Sequence, residues 1–225
     1  MSVLAIIPAR AGSKGVPNKN FRELCGVSPV ERATLVAKLV ANEVVISTDT
    51  KYGLANWNSL VTWERVLLRP AALAKDDTPM IAVVKHVLEQ IPGPPDQKIV
   101  LLQPTQPLRK PEHITQALAL LTPEVSSVVS VKRSVSPSEL LAIYRPGRLW
   151  RVEGSNYLRD LPSRRQDMNE GYVRDGTVYA FWRRTVEYGD IYGPDVVPLL
   201  IDPADTCPLD TPEDWLEAER RLRER

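Results

Sequence analysis

Short, almost wholly apolar runs rich in β-branched residues alternate along the chain with longer stretches whose apolar positions recur at helical spacing. The runs predict strands at Val3 to Ile7, Val44 to Thr48, Ile99 to Leu102 and Ser127 to Val131. None of them alternates apolar with polar residues, as expected when helices cover both faces of a sheet. The intervening periodic stretches predict helices at Val30 to Ala41, Thr78 to Ile91 and Pro111 to Leu121. Pro79 and Pro111 fall near the first turn of two of them, where a missing N–H costs nothing and φ is already helical. This alternation is that of an α/β protein with a largely parallel sheet.

The rhythm breaks after Val131. Lys132 to Gly176 is polar, carries Pro137, Pro146 and Pro162, and contains a charge-dense run from Arg159 to Asp167. A linker of that length is unusual inside a compact domain, so an inserted lobe at about 132–176 is expected within a single domain spanning 1–225. The sheet is expected to resume at Thr177 to Trp182 and Val196 to Ile201. Thr211-Pro212-Glu213-Asp214, an N-cap residue followed by proline and two acids, opens a last helix over Trp215 to Arg223.

Composition narrows the field. Twenty-nine Lys+Arg against 28 Asp+Glu leave a net charge of +1 over 225 residues, which argues against a basic nucleic-acid binder. A chain of this mass can bury about 70% of its unfolded surface, so a full core needs no disulfides. Two distant cysteines, Cys25 and Cys207, make no disulfide scaffold, and two histidines supply no zinc cluster of the usual kind, so a reducing, cytoplasmic setting is expected. The opening MSVLAIIPAR has only a short apolar run before its proline and reads as neither signal peptide nor membrane span.

The segment Pro8 to Asn20 follows the first strand directly, which in an open α/β sheet places it at a strand's carboxyl end, where ligands bind. Gly12 and Gly15 allow close backbone approach, Ser13 offers a hydroxyl, and Arg10, Lys14 and Lys19 bring positive charge. That combination suits a polyphosphate, although the loop is neither a Walker A nor a G-x-G-x-x-G sequence. An ordinary βα turn with solvated basic residues has the same composition.

The string IPARAGSKGVPNKN resembles the signature of the CMP-sialic acid synthetase family, the cytidylyltransferases that activate acidic sugars. Further matches follow in order: Ile46-Ser47-Thr48-Asp49, Leu68-Arg69-Pro70, Leu101 to Arg109 (LLQPTQPLR), Arg165-Gln166-Asp167, Gly176-Thr177-Val178-Tyr179 and Leu209 to Asp214 (LDTPED). The resemblance implies a three-layer α/β/α nucleotidyltransferase fold with a mainly parallel sheet and a dimerisation lobe. It implies transfer of CMP from CTP to a nonulosonic or keto-deoxy sugar acid, with release of pyrophosphate, a requirement for Mg2+ and a homodimer. Arg10, Lys14 and Lys19 would hold the triphosphate beside Gly12 and Ser13. Asn20 and Arg69 would lie near the cytosine, and Gln103, Arg165 and Tyr179 would contact the acceptor. Asp210 would bind the metal.

Plainer readings stand beside these. Asp49 suits an N-cap after a strand, Tyr179 a packed strand aromatic, Arg165 a solvated residue of a charged lobe and Asp210 a carboxylate at the positive end of the last helix. Gln103 equally suits a polar strand end before a proline turn, and Arg109 reads best as a solvated residue ahead of the Pro111 helix. Three positions depart from the family pattern: Pro208 replaces one metal-binding aspartate, Glu139 stands where many members have a lysine, and Asp175 where many have asparagine. They leave two alternatives to a sugar-acid enzyme, namely CMP transfer to a small phosphonate and a nucleotide-binding protein with impaired turnover.

Overall fold

A computed structural model of the chain describes residues 2–13, 15–50, 65–134, 141–145, 148–151 and 171–225. Among the described residues nine strands form one sheet: β1 (Val3–Pro8), β2 (Glu43–Thr48), β3 (Arg65–Leu68), β4 (Lys98–Leu101), β5 (Ser127–Ser134), β6 (Leu141–Arg145), β7 (Arg148–Arg151), β8 (Gly171–Trp182) and β9 (Val196–Leu200). Seven lie in the order β3-β2-β1-β4-β8-β5-β9, and the β6-β7 hairpin attaches through β6 to the start of β8. Within that row every strand except β8 runs the same way.

The continuous apolar runs are explained by cover on both faces. Along β1, Ala5 and Ile7 join one core with Val30, Ala33 and Ala37 of α1 (Pro29–Lys38) and Ile114 and Ala117 of α3 (Pro111–Leu120). Leu4 and Ile6 point the other way, onto Val84, Val87 and Leu88 of α2 (Met80–Gln90). The same alternation divides Val100 from Ile99 and Leu101 in β4, which lies in mid-sheet between β1 and β8 as its unbroken apolar character requires. The result is the three-layer α/β/α arrangement.

Sequence reading placed the resumption of the sheet at Thr177, whereas β8 starts at Gly171. Arg174-Asp175-Gly176 has turn composition, but here it is a strand irregularity. Gly176 sits at φ +80°, the register against β5 shifts between Val129 and Val131, and the Val178 N–H donates to Ser130 Oγ at 2.9 Å. The expected inserted span is thus entered by β5 up to Ser134 and left by β8 from Gly171, with the β6-β7 hairpin inside it. β3 was not predicted, and its exposed and half-buried residues mark it as an edge strand.

A third, smaller core carries the site. Leu209, Trp215 and Ala218, at the start of and within α4 (Pro212–Arg223), pack on Val16 and Leu24 from the loop after β1 and on Leu108 from the loop after β4. Arg22 lies over the Trp215 ring, 4.8 Å from its centroid. The last helix therefore clamps together the loops that leave β1 and β4. Both cysteines are free, and among the described residues no helix is long and apolar enough to cross a membrane.

Candidate functional site

Two cavities open at the carboxyl ends of β1, β2 and β4, and they share Gln103, Thr105 and Asp210. The smaller, about 230 Å³, is lined by Arg10, Ser13, Lys19, Asn20 and Arg69 among others. The larger, about 520 Å³, lies along the free edge that β8 presents beyond the end of β4, and Gln106, Lys132, Arg174, Gly176, Tyr179 and Pro208 contribute to its wall. Its volume falls within the roughly 300–1,000 Å³ usual for small-molecule sites.

In the smaller cavity the loop after β1 is shaped by its own polar groups. Asn20 is buried, and its amide donates to the Arg10 carbonyl at 2.9 Å. Asp49, at the end of β2, accepts from the Ala11 N–H at 2.9 Å, so its carboxylate braces this loop. Lys19 Nζ reaches 2.7 Å from the Leu209 carbonyl and 3.0 Å from Asp210 Oδ1. Gly15 explains itself by proximity: a Cβ there would stand 2.2 Å from the Asp210 carbonyl oxygen, so only glycine lets the loop lie against the segment before α4. A Cβ on Gly12 would meet nothing within 4 Å.

Two of the three cations named in this cavity, Arg10 and Lys19, pair with carboxylates that also line it. The Arg10 guanidinium forms an ion pair with Asp76, a partner that sequence reading missed. Arg69 lines the cavity, is 7% exposed, and its Nε is a buried donor with no hydrogen-bond partner. Burial pulls its pKa down, Asp49 opposes that fall and Arg10 adds to it. A buried, unpaired guanidinium donor is costly unless a ligand completes it.

The larger cavity has a cationic and aromatic wall. Arg174 lies over the Tyr192 ring, 5.5 Å from its centroid, and donates to the Tyr192 hydroxyl; Tyr192 in turn meets Tyr179 edge-on with centroids 6.5 Å apart. Burial, reinforced by Tyr192, pushes the Tyr179 phenol up to about 12, so it faces the cavity as a neutral hydroxyl. Lys132 and Arg174 escaped sequence reading because both fell in the span assigned to a lobe. The strand pairing Lys132↔Val173 brings that part of the chain to the cavity.

Arg109 overturns the expectation of a solvated residue. It is 5% exposed, donates from Nε to the Thr177 carbonyl and from Nη2 to the Gln103 carbonyl, each at 2.5 Å, and burial lowers its pKa to about 10 against the opposing charge of Asp175. The cap of α4 is a reciprocal pair: Thr211 Oγ1 accepts from the Asp214 N–H at 3.2 Å, and Asp214 Oδ2 accepts from the N–H groups of Thr211 at 2.8 Å and Asp210 at 3.1 Å. The Asp210 carboxylate is left 69% exposed at the seam between the cavities. Asp202 and Asp205, the other acids close by in sequence, are engaged elsewhere: Asp202 accepts from Ala204 N, and Asp205 pairs with Lys110 and Arg225. Lys14, Glu139 and Arg165 lie outside the described residues.

Among the described residues no cluster of three or more His, Cys, Asp or Glu side chains could hold a metal ion. The donor set at the seam still fits magnesium, which is commonly held by one or two carboxylates together with substrate phosphates and water.

The cytidylyltransferase family pattern matches residues 4–191. The chain is 35% identical to the CMP-N,N'-diacetyllegionaminic acid synthase of Legionella pneumophila over 99% of its own length and 97% of that enzyme. It is 36% identical to the N-acylneuraminate cytidylyltransferase of Escherichia coli over 62% of its length, a segment making up 33% of that protein. Its fold overlays that of a CMP:2-keto-3-deoxy-manno-octonic acid synthetase complexed with CTP, with a TM-score of 0.78, 15% identity and coverage of 100% of this chain and 99% of the other. Matched along most of its length by sequence and along all of it by fold, the chain belongs to the cytidylyltransferase family.

Proposed function

We propose that the protein transfers CMP from CTP to an acidic sugar, with release of pyrophosphate. The observation that carries this reading is the seam: a cavity lined by Arg10, Lys19 and Arg69 meets a larger polar cavity at Gln103, Thr105 and Asp210. A triphosphate in the first and an acceptor in the second meet there. The acceptor hydroxyl oxygen attacks the α-phosphorus, a new P–O bond forms, the bond to the β-phosphate bridge breaks, and the hydroxyl proton is released. Little covalent work falls to the protein in such a displacement. Alignment of the two substrates and cationic stabilisation of the leaving pyrophosphate carry most of the rate.

Arg10, Lys19 and, by the family resemblance, Lys14 serve the phosphates, and Arg69 with Asn20 the base end of the nucleotide. Gln103, Tyr179 and Arg165 serve the acceptor. Asp210 holds magnesium, which when bound neutralises charge developing on the phosphates. Lys19 then stands beside the metal ligand and orients its carboxylate. The cationic wall of Lys132 and Arg174 favours an acidic acceptor over a neutral one.

The test is pyrophosphate release with CTP, magnesium and a panel of nonulosonic acids, keto-deoxy sugar acids and small phosphonates. Release with sugar acids alone is expected. Release with phosphonates alone moves the acceptor class, and CTP binding without release under any condition leaves a nucleotide-binding protein. The same reading includes a homodimer formed through the 132–176 span, and sedimentation showing a monomer at all concentrations would remove it.

A further inference from the structure

The geometry points to Arg109 as a positioning residue that sets Gln103 against the β8 irregularity, and so fixes the seam between the nucleotide and acceptor cavities. This rests on the transferase reading for its consequence, but its structural content does not. Beyond Leu101 the β4-β8 ladder has ended, and carbonyls on both sides of the gap need partners besides the long 3.4 Å bond that the Gln103 carbonyl accepts from the Gln106 N–H. The Arg109 fork supplies them, binding the carbonyls of Gln103 and Thr177 with two donors of one planar group.

The rest of the network locks the same junction. Gln106 donates its amide to the Asp175 carbonyl and accepts from the Cys207 N–H at 3.3 Å, tying the loop after β4 to both β8 and the segment before α4. Asp175 is buried, accepts from the N–H and hydroxyl of Thr177, and is the carboxylate that favours the charge on Arg109. Gln103 Oε1 sits 2.8 Å from where a Cβ on Gly176 would stand, so the side chain of Gln103 is seated on bare backbone. Gln103 lines both cavities, whereas Arg109 lines neither. Arg109 therefore acts on the substrates only through what it holds.

Lysine at 109 keeps the charge but cannot bridge two carbonyls as a fork does. A double-mutant cycle separates positioning from general stability. Arg109→Lys is expected to lower kcat/KM for the acceptor by about tenfold while leaving CTP affinity within about twofold of the parent, and to cost little further in a Gln103→Ala background. Equal costs in both backgrounds, or parental kcat/KM in Arg109→Lys, would overturn the assignment. Should Arg109→Lys not fold, Asp175→Asn takes its place in the cycle, since it removes the counter-charge while its amide oxygen still accepts from the Thr177 N–H. A second readout needs no turnover: amide exchange in the substrate-free protein should quicken together at 103–106 and 175–178 in the variant. Unchanged exchange there would also sink the idea. A parent protein that releases no pyrophosphate would count against the transferase reading alone, and exchange would then decide the role of Arg109.

Discussion

At the scale of single residues, the site places charges where each can be removed and the loss read separately. Arg10 and Lys19 reach the smaller cavity from one loop. Arg10→Ala or Lys19→Ala should weaken CTP binding by about 1.5–3 kcal/mol, roughly 10-fold to 100-fold, as expected for a charged hydrogen-bond partner of a phosphate. Calorimetry checks this, and parental affinity in both variants would remove the phosphate assignment. Asp210 makes a sharper case because its carboxylate is mostly exposed and α4 is capped without it. Asp210→Asn should therefore abolish turnover with little change in the unfolding midpoint. Pro208, on the wall beside it, leaves a place that a carboxylate could take, and Pro208→Asp should lower the magnesium concentration needed for half-maximal turnover. Turnover measured against magnesium for the parent and both variants decides the point.

At the scale of elements, the ends of α3 and α4 show how local chemistry holds the frame. His113 Nδ1 accepts from the Lys110 N–H at 3.2 Å while Nε2 lies 3.3 Å from Asp205 Oδ2, an arrangement that requires the neutral ring with its proton on Nε2. Burial lowers the His113 pKa from 6.5 even though Asp205 pulls the other way, because Lys110 and Arg109 add positive charge nearby. The unfolded chain then binds more protons than the folded one just below pH 6.5, so this contribution to stability is complete above that pH and is lost on acidification. Burial pushes Asp205 upward, but hydrogen bonds from Lys110 and Arg225 outweigh it and hold its pKa below 3.8, which extends the acid sensitivity in the same direction. Urea midpoints should fall between pH 7 and pH 5 in the parent and fall less in His113→Gln. At α4, Thr211 Oγ1 accepts from Asp214 N at 3.2 Å while Asp214 answers the Thr211 N–H, so Thr211→Ala should cost about 1 kcal/mol by denaturant unfolding.

At the scale of the whole molecule, the layers and the mainly parallel sheet were legible because β1, β2 and β4 are apolar on both faces, a pattern that allows few folds, whereas the strand order was not. That the loop after β1 lines a cavity was legible for a related reason, since its glycines and cations lie together in sequence. Arg109, Asp175, Lys132 and Arg174 were not legible: their roles depend on which strand ends meet across the sheet, and β8 turns its polar stretch from an apparent loop into a cavity wall. Antiparallel insertion of one strand in a parallel sheet has no local signature. Gly15 belongs to the same class, its requirement being set by a carbonyl far along the chain, and Gly15→Ala should weaken CTP binding while the sheet stays intact by circular dichroism. That contact has a consequence for the order of assembly. Lys19 and the Leu209 carbonyl are separated by 190 positions, and Val16 is covered by Leu209 and Trp215. During synthesis β1 and its loop leave the ribosome long before α4 does, and β8, which completes the cover of β4, emerges only shortly ahead of it. The loop after β1 thus waits for its partners, and it takes its final shape only when α4 folds back onto it.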